Sequence, residues 1–154
     1  MKKTRLFLTA SLLAIGSLSA VTMTSCSKDD TTCAVGYEGK DCKTLSRDKF
    51  IGQWQGHEDC TIGTDDYSIT LTASGTSEVK LIYTNVYNQA FTATGEMTGT
   101  NGFTFSGTAA GTSGTVNFSG NVSLDQSTGK LTSTYMIKDG VNPDNSCTFT
   151  GTKL

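Results

Sequence analysis

From Phe50 to the C-terminus the apolar residues recur at every second position, and no stretch keeps a 3.6-residue period. Tyr67, Ile69 and Leu71 form one such run; Val79, Leu81 and Tyr83 another; Phe91, Ala93, Gly95 and Met97 a third. Longer ones run from Val116 through Phe118, Gly120 and Val122 to Leu124, and from Leu131 through Ser133 and Tyr135 to Ile137. Successive side chains of a strand point to opposite faces, so each run describes a strand with one face inward and one toward water. Turn signals separate the runs at short intervals: Ser74-Gly75, Asn88-Gln89, Asn101-Gly102, Gly111 to Gly114, Ser127 to Gly129, and Asp139-Gly140. The predicted strands are 50–60, 66–73, 77–87, 90–99, 102–109, 114–124, 130–138 and 146–153. This is an all-β pattern. Its short connections favour an eight-stranded antiparallel up-and-down barrel, with a β-sandwich as the alternative.

The N-terminus has a different character. Lys2, Lys3 and Arg5 precede an uncharged apolar stretch from Leu6 to Met23, which reads as a signal peptide. The run is close to the roughly 20 residues a bilayer span needs, but the residues at its end favour cleavage. Met23-Thr24-Ser25-Cys26 resembles the lipobox of bacterial lipoproteins, with Met23 where the family usually has Leu. The resemblance implies a cut before Cys26 and acylation of that cysteine. At about 0.8 kcal/mol per buried CH₂, two or three acyl chains hold a protein on a membrane where one lets it go. Ser27-Lys28-Asp29-Asp30 resembles the acidic export signal of Bacteroidota lipoproteins, which implies an outer-membrane, cell-surface location. Read without the resemblance, it is a solvated charge run in a tether. Asp30-Thr31-Thr32 is similar to the Asp-Ser/Thr-X acceptor for O-glycans in the same phylum, with Thr31 as the acceptor.

Loss of the first 25 residues, which hold three cations and no acid, shifts the formal net charge from −2 to about −5. That argues against nucleic acid or an anionic headgroup as the partner, and no basic patch interleaved with aromatics occurs.

Five cysteines are an odd number for an exported chain, and Cys26 accounts for the odd one as lipid carrier. The other four allow three pairings; spacing favours Cys33 with Cys42 and Cys60 with Cys147. Both bonds persist in an oxidising compartment. The segment from Cys33 to Cys42 reads Cys-Ala-Val-Gly-Tyr-Glu-Gly-Lys-Asp-Cys and resembles the last disulfide loop of an EGF module. Gly36 and Gly39 suit turn positions of positive φ. The family's cysteine two positions upstream is Thr31 here, and its other two disulfides are absent, so the resemblance extends to a half-module. The expected organisation is a signal peptide over 1–25, a tether with the EGF-like loop over 26–46, and the barrel over 47–154.

A closed eight-strand meander puts its first and last strands side by side and antiparallel. Cys60 ends the first predicted strand and Cys147 begins the eighth, so their bond suits closure. The same register sets Trp54 opposite Lys153. Gly52-Gln53-Trp54 with a basic residue near the chain end resembles the lipocalin pattern, which implies an indole capped by Lys153 through a cation–π contact. The resemblance implies a lumen able to hold a small apolar or amphipathic molecule.

Phe91, Met97, Phe103, Phe105, Phe118, Tyr135 and Phe149 point inward and can fill that lumen, while Gly95, Gly107 and Gly120 leave space. Glu58 and Trp54 are the candidate ligand-binding residues. By alternation Glu58 shares the inward face of Trp54 and Gly56, where a buried carboxylate would need partners or a polar ligand group. Its expected position is the rim, in water.

His57, the only histidine, lies among Glu58, Asp59, Asp65 and Asp66, but no metal-binding spacing is present and the expected setting is a solvated strand edge. No serine sits in a Gly-x-Ser-x-Gly elbow, and the cysteines are consumed. No catalytic residue, metal or cofactor is therefore assigned. The expected function is a monomeric, lipid-anchored surface barrel that binds a small ligand. The alternative is a filled barrel whose Thr- and Ser-rich exterior touches a partner protein or glycan.

Overall fold

The computed structural model describes residues 32–85, 91–111 and 114–154. The signal peptide, Cys26, the 27–30 charge run, Thr31 and the Asn88-Gln89 turn lie outside the described residues.

The chain first forms a small hairpin of β1 (Tyr37–Glu38) and β2 (Thr44–Leu45), stapled by the Cys33–Cys42 disulfide. Gly36 and Gly39 take φ of 87° and 86°, the left-handed conformation that glycine adopts without a Cβ clash. A Cβ at Gly36 would also lie 2.5 Å from Val79 Cγ1, so the hairpin packs directly on the barrel. The Tyr37 hydroxyl donates to Glu78 at 2.9 Å, and Lys49 pairs with Glu38 at 2.6 Å.

A 3₁₀ turn, Ser46–Lys49, then leads into eight strands: β3 (Gly52–Cys60), β4 (Gly63–Ala73), β5 (Lys80–Asn85), β6 (Phe91–Met97), β7 (Gly102–Gly111), β8 (Gly114–Asp125), β9 (Lys130–Lys138) and β10 (Asn145–Lys153). They close into a barrel of antiparallel neighbours in the order β10-β3-β4-β5-β6-β7-β8-β9. Closure removes the sandwich alternative and leaves no exposed sheet edge. Cys60 faces Cys147 and Trp54 faces Lys153 across the β3–β10 seam, and the Cys60–Cys147 bond is formed.

Three strand starts differ from the sequence reading by two or more residues. β3 begins at Gly52 because the 3₁₀ turn carries Phe50 past the strand and into the core. β4 begins at Gly63 because Thr61 and Ile62 alone make its turn from β3. β5 begins at Lys80 because the preceding loop folds over the barrel end and is held by Arg47. The Arg47 Nη1 donates to the carbonyls of Ser74 (3.3 Å), Ser77 (2.5 Å) and Lys80 (2.8 Å).

That end is closed. Phe50, Trp54, Ile69, Leu71, Leu81 and Phe103 are all essentially inaccessible there, and Phe50 meets Phe103 edge to face with ring centroids 5.2 Å apart. The inward glycines seat neighbouring groups, so of the two readings the sequence left open, filling holds at these positions. A Cβ would lie 2.9 Å from the Phe103 ring at Gly95, 2.7 Å from Phe118 at Gly107, and 2.7 Å from the Tyr135 Cα at Gly120. The described residues thus form one compact unit with a complete core, a closed sheet and both disulfides, which is what independent folding requires.

Candidate functional site

The packed core stops short of the other end. There the β3–β4 turn and the β9–β10 loop surround a cup of about 490 Å³. Its wall is apolar at Ile62, Phe91, Val116 and Ile137, and its base is polar, with Glu58, Asn85, Tyr135 and Asn145. Beneath it only about 20 Å³ remains between Tyr83, Phe105 and Phe118, so the cup does not continue as a channel. Ile62 and Val141 project at the lip, 80% and 67% exposed.

Glu58 anchors the base. It is 7% exposed, not at the rim in water as expected. The regular alternation of β3 carries it inward, and two phenols compensate its burial. Tyr67 on β4 donates to Glu58 Oε1 at 2.5 Å, and Tyr135 on β9 donates to the same oxygen. The two phenol oxygens lie 3.3 Å apart, and Asn85 Nδ2 donates to the Tyr67 hydroxyl at 3.2 Å. Burial pushes the Tyr67 phenol far above its ordinary range, with the nearby Tyr83 and Tyr135 phenols and the hydrogen bond to Glu58 adding to it. Burial likewise raises Tyr135, followed by its bond to Glu58. Both remain protonated donors at any physiological pH. Both hydrogen bonds to Glu58 fall on Oε1; Oε2 accepts none from the described residues. Asn145 is 9% exposed, and its Oδ1 has no hydrogen-bond partner among the described residues.

Glu58 and Trp54 do not meet. Trp54 is 2% exposed at the closed end, where its Nε1 donates to the Phe50 carbonyl at 2.8 Å, and it does not line the cup. Assignment of Trp54 to ligand binding is therefore corrected: the indole shares a face with Glu58 but lies on the opposite half of β3, with the core between. Its pairing with Lys153 is as the register implied, with Nζ 5.8 Å from the ring centroid and donating to the Lys49 carbonyl at 3.3 Å.

His57 lies on the outer face, away from the cup. Its Nδ1 is 2.8 Å from Asp66 and its Nε2 3.4 Å from Asp59. The hydrogen bond to Asp66 raises the imidazole pKa above its ordinary value, with Asp59 adding to the shift. Each ring nitrogen is directed at a different carboxylate, which leaves no lone pair converging with them on a metal. Glu58, Cys60 and Cys147 do converge, their ligand atoms within 4.8 Å of one another, but the two sulfurs are bonded together and offer no thiolate.

Sequence reasoning placed Tyr67 and Tyr135 inward without linking either to Glu58. The available signal was that a buried phenol hydroxyl normally finds a partner, and Glu58 is the inward acid at their level. No protein-family model matches this chain, and no curated protein sequence does either.

Proposed function

We propose that this chain is an exported lipoprotein, anchored in the outer membrane through Cys26, whose barrel takes a small apolar or amphipathic molecule into its cup at the cell surface. The cup is the observation that carries the reading. Its volume of about 490 Å³ falls in the range of small-molecule sites, and apolar walls over a few convergent polar groups are their usual lining. A filled barrel acting only through its exterior would have no need of this space or of a buried acid beneath it. The lipobox residues up to Cys26 and the acidic run at 27–30 support the location; the loop from Cys33 to Cys42, which resembles an EGF half-module, packs on the barrel and is part of its unit. The chain enters the barrel unit at the closed end, where Gly36 packs on Val79. No catalytic role is proposed.

The test is native mass spectrometry of the unit from residue 32 onward, secreted into an oxidising compartment and incubated with a bacterial lipid extract. The expected species carries two disulfides and a non-covalent small molecule that leaves on denaturation. A species with two disulfides that takes up nothing would favour the exterior-contact alternative.

A further inference from the structure

The cup has a sign. Its lining carries three carboxylates, Glu58, Asp65 and Asp139, and among the described residues no lysine, arginine or histidine. Segments 86–90 and 112–113, outside the described residues, read Val-Tyr-Asn-Gln-Ala and Thr-Ser and contain no lysine, arginine or histidine. Lys138 is spent outside, paired with Asp144 at 2.7 Å. Two of the acids are at the mouth and occupied locally: Asp65 accepts the Asp66 backbone N–H at 2.7 Å, and Asp139 accepts those of Val141 and Asn142 at 2.9 and 2.8 Å.

Glu58 differs from both. It is more than nine-tenths buried, and the two tyrosines crowd onto one of its oxygens while the other has no donor among the described residues. A carboxylate oxygen that lacks a donor is a strong acceptor when a charged donor reaches it, and such bonds are about twice as strong as neutral ones. The Tyr135 and Phe91 rings supply aromatic surface of the kind that attracts a cation. A fatty-acid carboxylate would meet the opposite conditions, since like charges next to Glu58 repel and no cation among the described lining residues is there to receive it.

Resting on the ligand-binding reading above, we infer that the cup selects an amphipathic cation: a ligand whose protonated amine docks on Glu58 and whose hydrocarbon part lies along Ile62, Val116 and Ile137. The buried acid provides the headgroup site, the two tyrosines position its carboxylate, and the apolar wall takes the tail. The acids at the mouth favour entry of a positive ligand and exclude anions.

The experiment is calorimetric titration of the unit from residue 32 onward at neutral pH with three probes of equal chain length: octylamine, 1-octanol and octanoate. Octylamine is expected to bind about tenfold or more tightly than octanol, and octanoate most weakly of the three. In Glu58→Gln, which keeps an acceptor for the tyrosines, the amine's advantage over octanol falls to within about threefold. Equal binding of the three probes, or a preference for octanoate, would overturn the inference and leave the cup as a neutral ligand site. Binding of none would overturn the ligand reading itself. The wild-type comparison decides the matter even if Glu58→Gln does not fold.

Discussion

The double substitution Cys60→Ser with Cys147→Ser is expected to lower stability by about 4 to 5 kcal/mol. The bond joins residues 87 apart in sequence, so without it the unfolded chain regains the freedom of nearly the whole barrel. The Cys33–Cys42 bond spans only 9 residues, and its removal is expected to cost about 2 to 3 kcal/mol. Small domains have about 5 to 15 kcal/mol in total, so the first variant approaches the folding threshold and the second does not. Guanidinium unfolding followed by the fluorescence of the single tryptophan measures both. A larger loss from the small hairpin, or a loss below about 1 kcal/mol at the seam, would contradict the role assigned to closure.

Trp54→Ala is expected to destabilise the barrel by about 3 to 5 kcal/mol, whereas Lys153→Ala costs about 1 kcal/mol or less. The indole is almost wholly buried, fills the closed end and satisfies the Phe50 carbonyl. The lysine above it is exposed, and its cation–π contact at 5.8 Å acts through a solvated ammonium. Circular dichroism against denaturant gives both values. Equal effects would mean that the cap, not the packed ring, secures this end.

Most of the barrel was legible because two of its signals are periodic or positional. Alternation through Tyr67, Ile69 and Leu71 identifies an inward face wherever a strand begins, since the side-chain period of a strand is two. Cys60 and Cys147 fixed the seam because they end one strand and start its neighbour. What escaped the sequence depends on distances across the lumen. The burial of Glu58 is compensated by Tyr135, 77 residues away, which reaches the oxygen that Tyr67 also holds. Strand pairing alone does not show how far one wall lies from another. Gly95, Gly107 and Gly120 were ambiguous for the same reason, since a missing side chain makes a void or a seat for a ring according to which neighbour leans in. Arg47 lies in a four-residue turn with no periodicity, and its three carbonyl acceptors come from a loop about thirty residues later.

One end of the barrel is packed shut, and the other holds the open cup. Methyl-selective NMR of the unit from residue 32 onward, titrated with 1-octanol, tests this division of the molecule. Saturable shifts are expected at Ile62, Val116 and Ile137 while Ile69, Leu71 and Leu131 stay unmoved. Absence of saturation, or shifts spread over the outer face with the cup methyls silent, would contradict it.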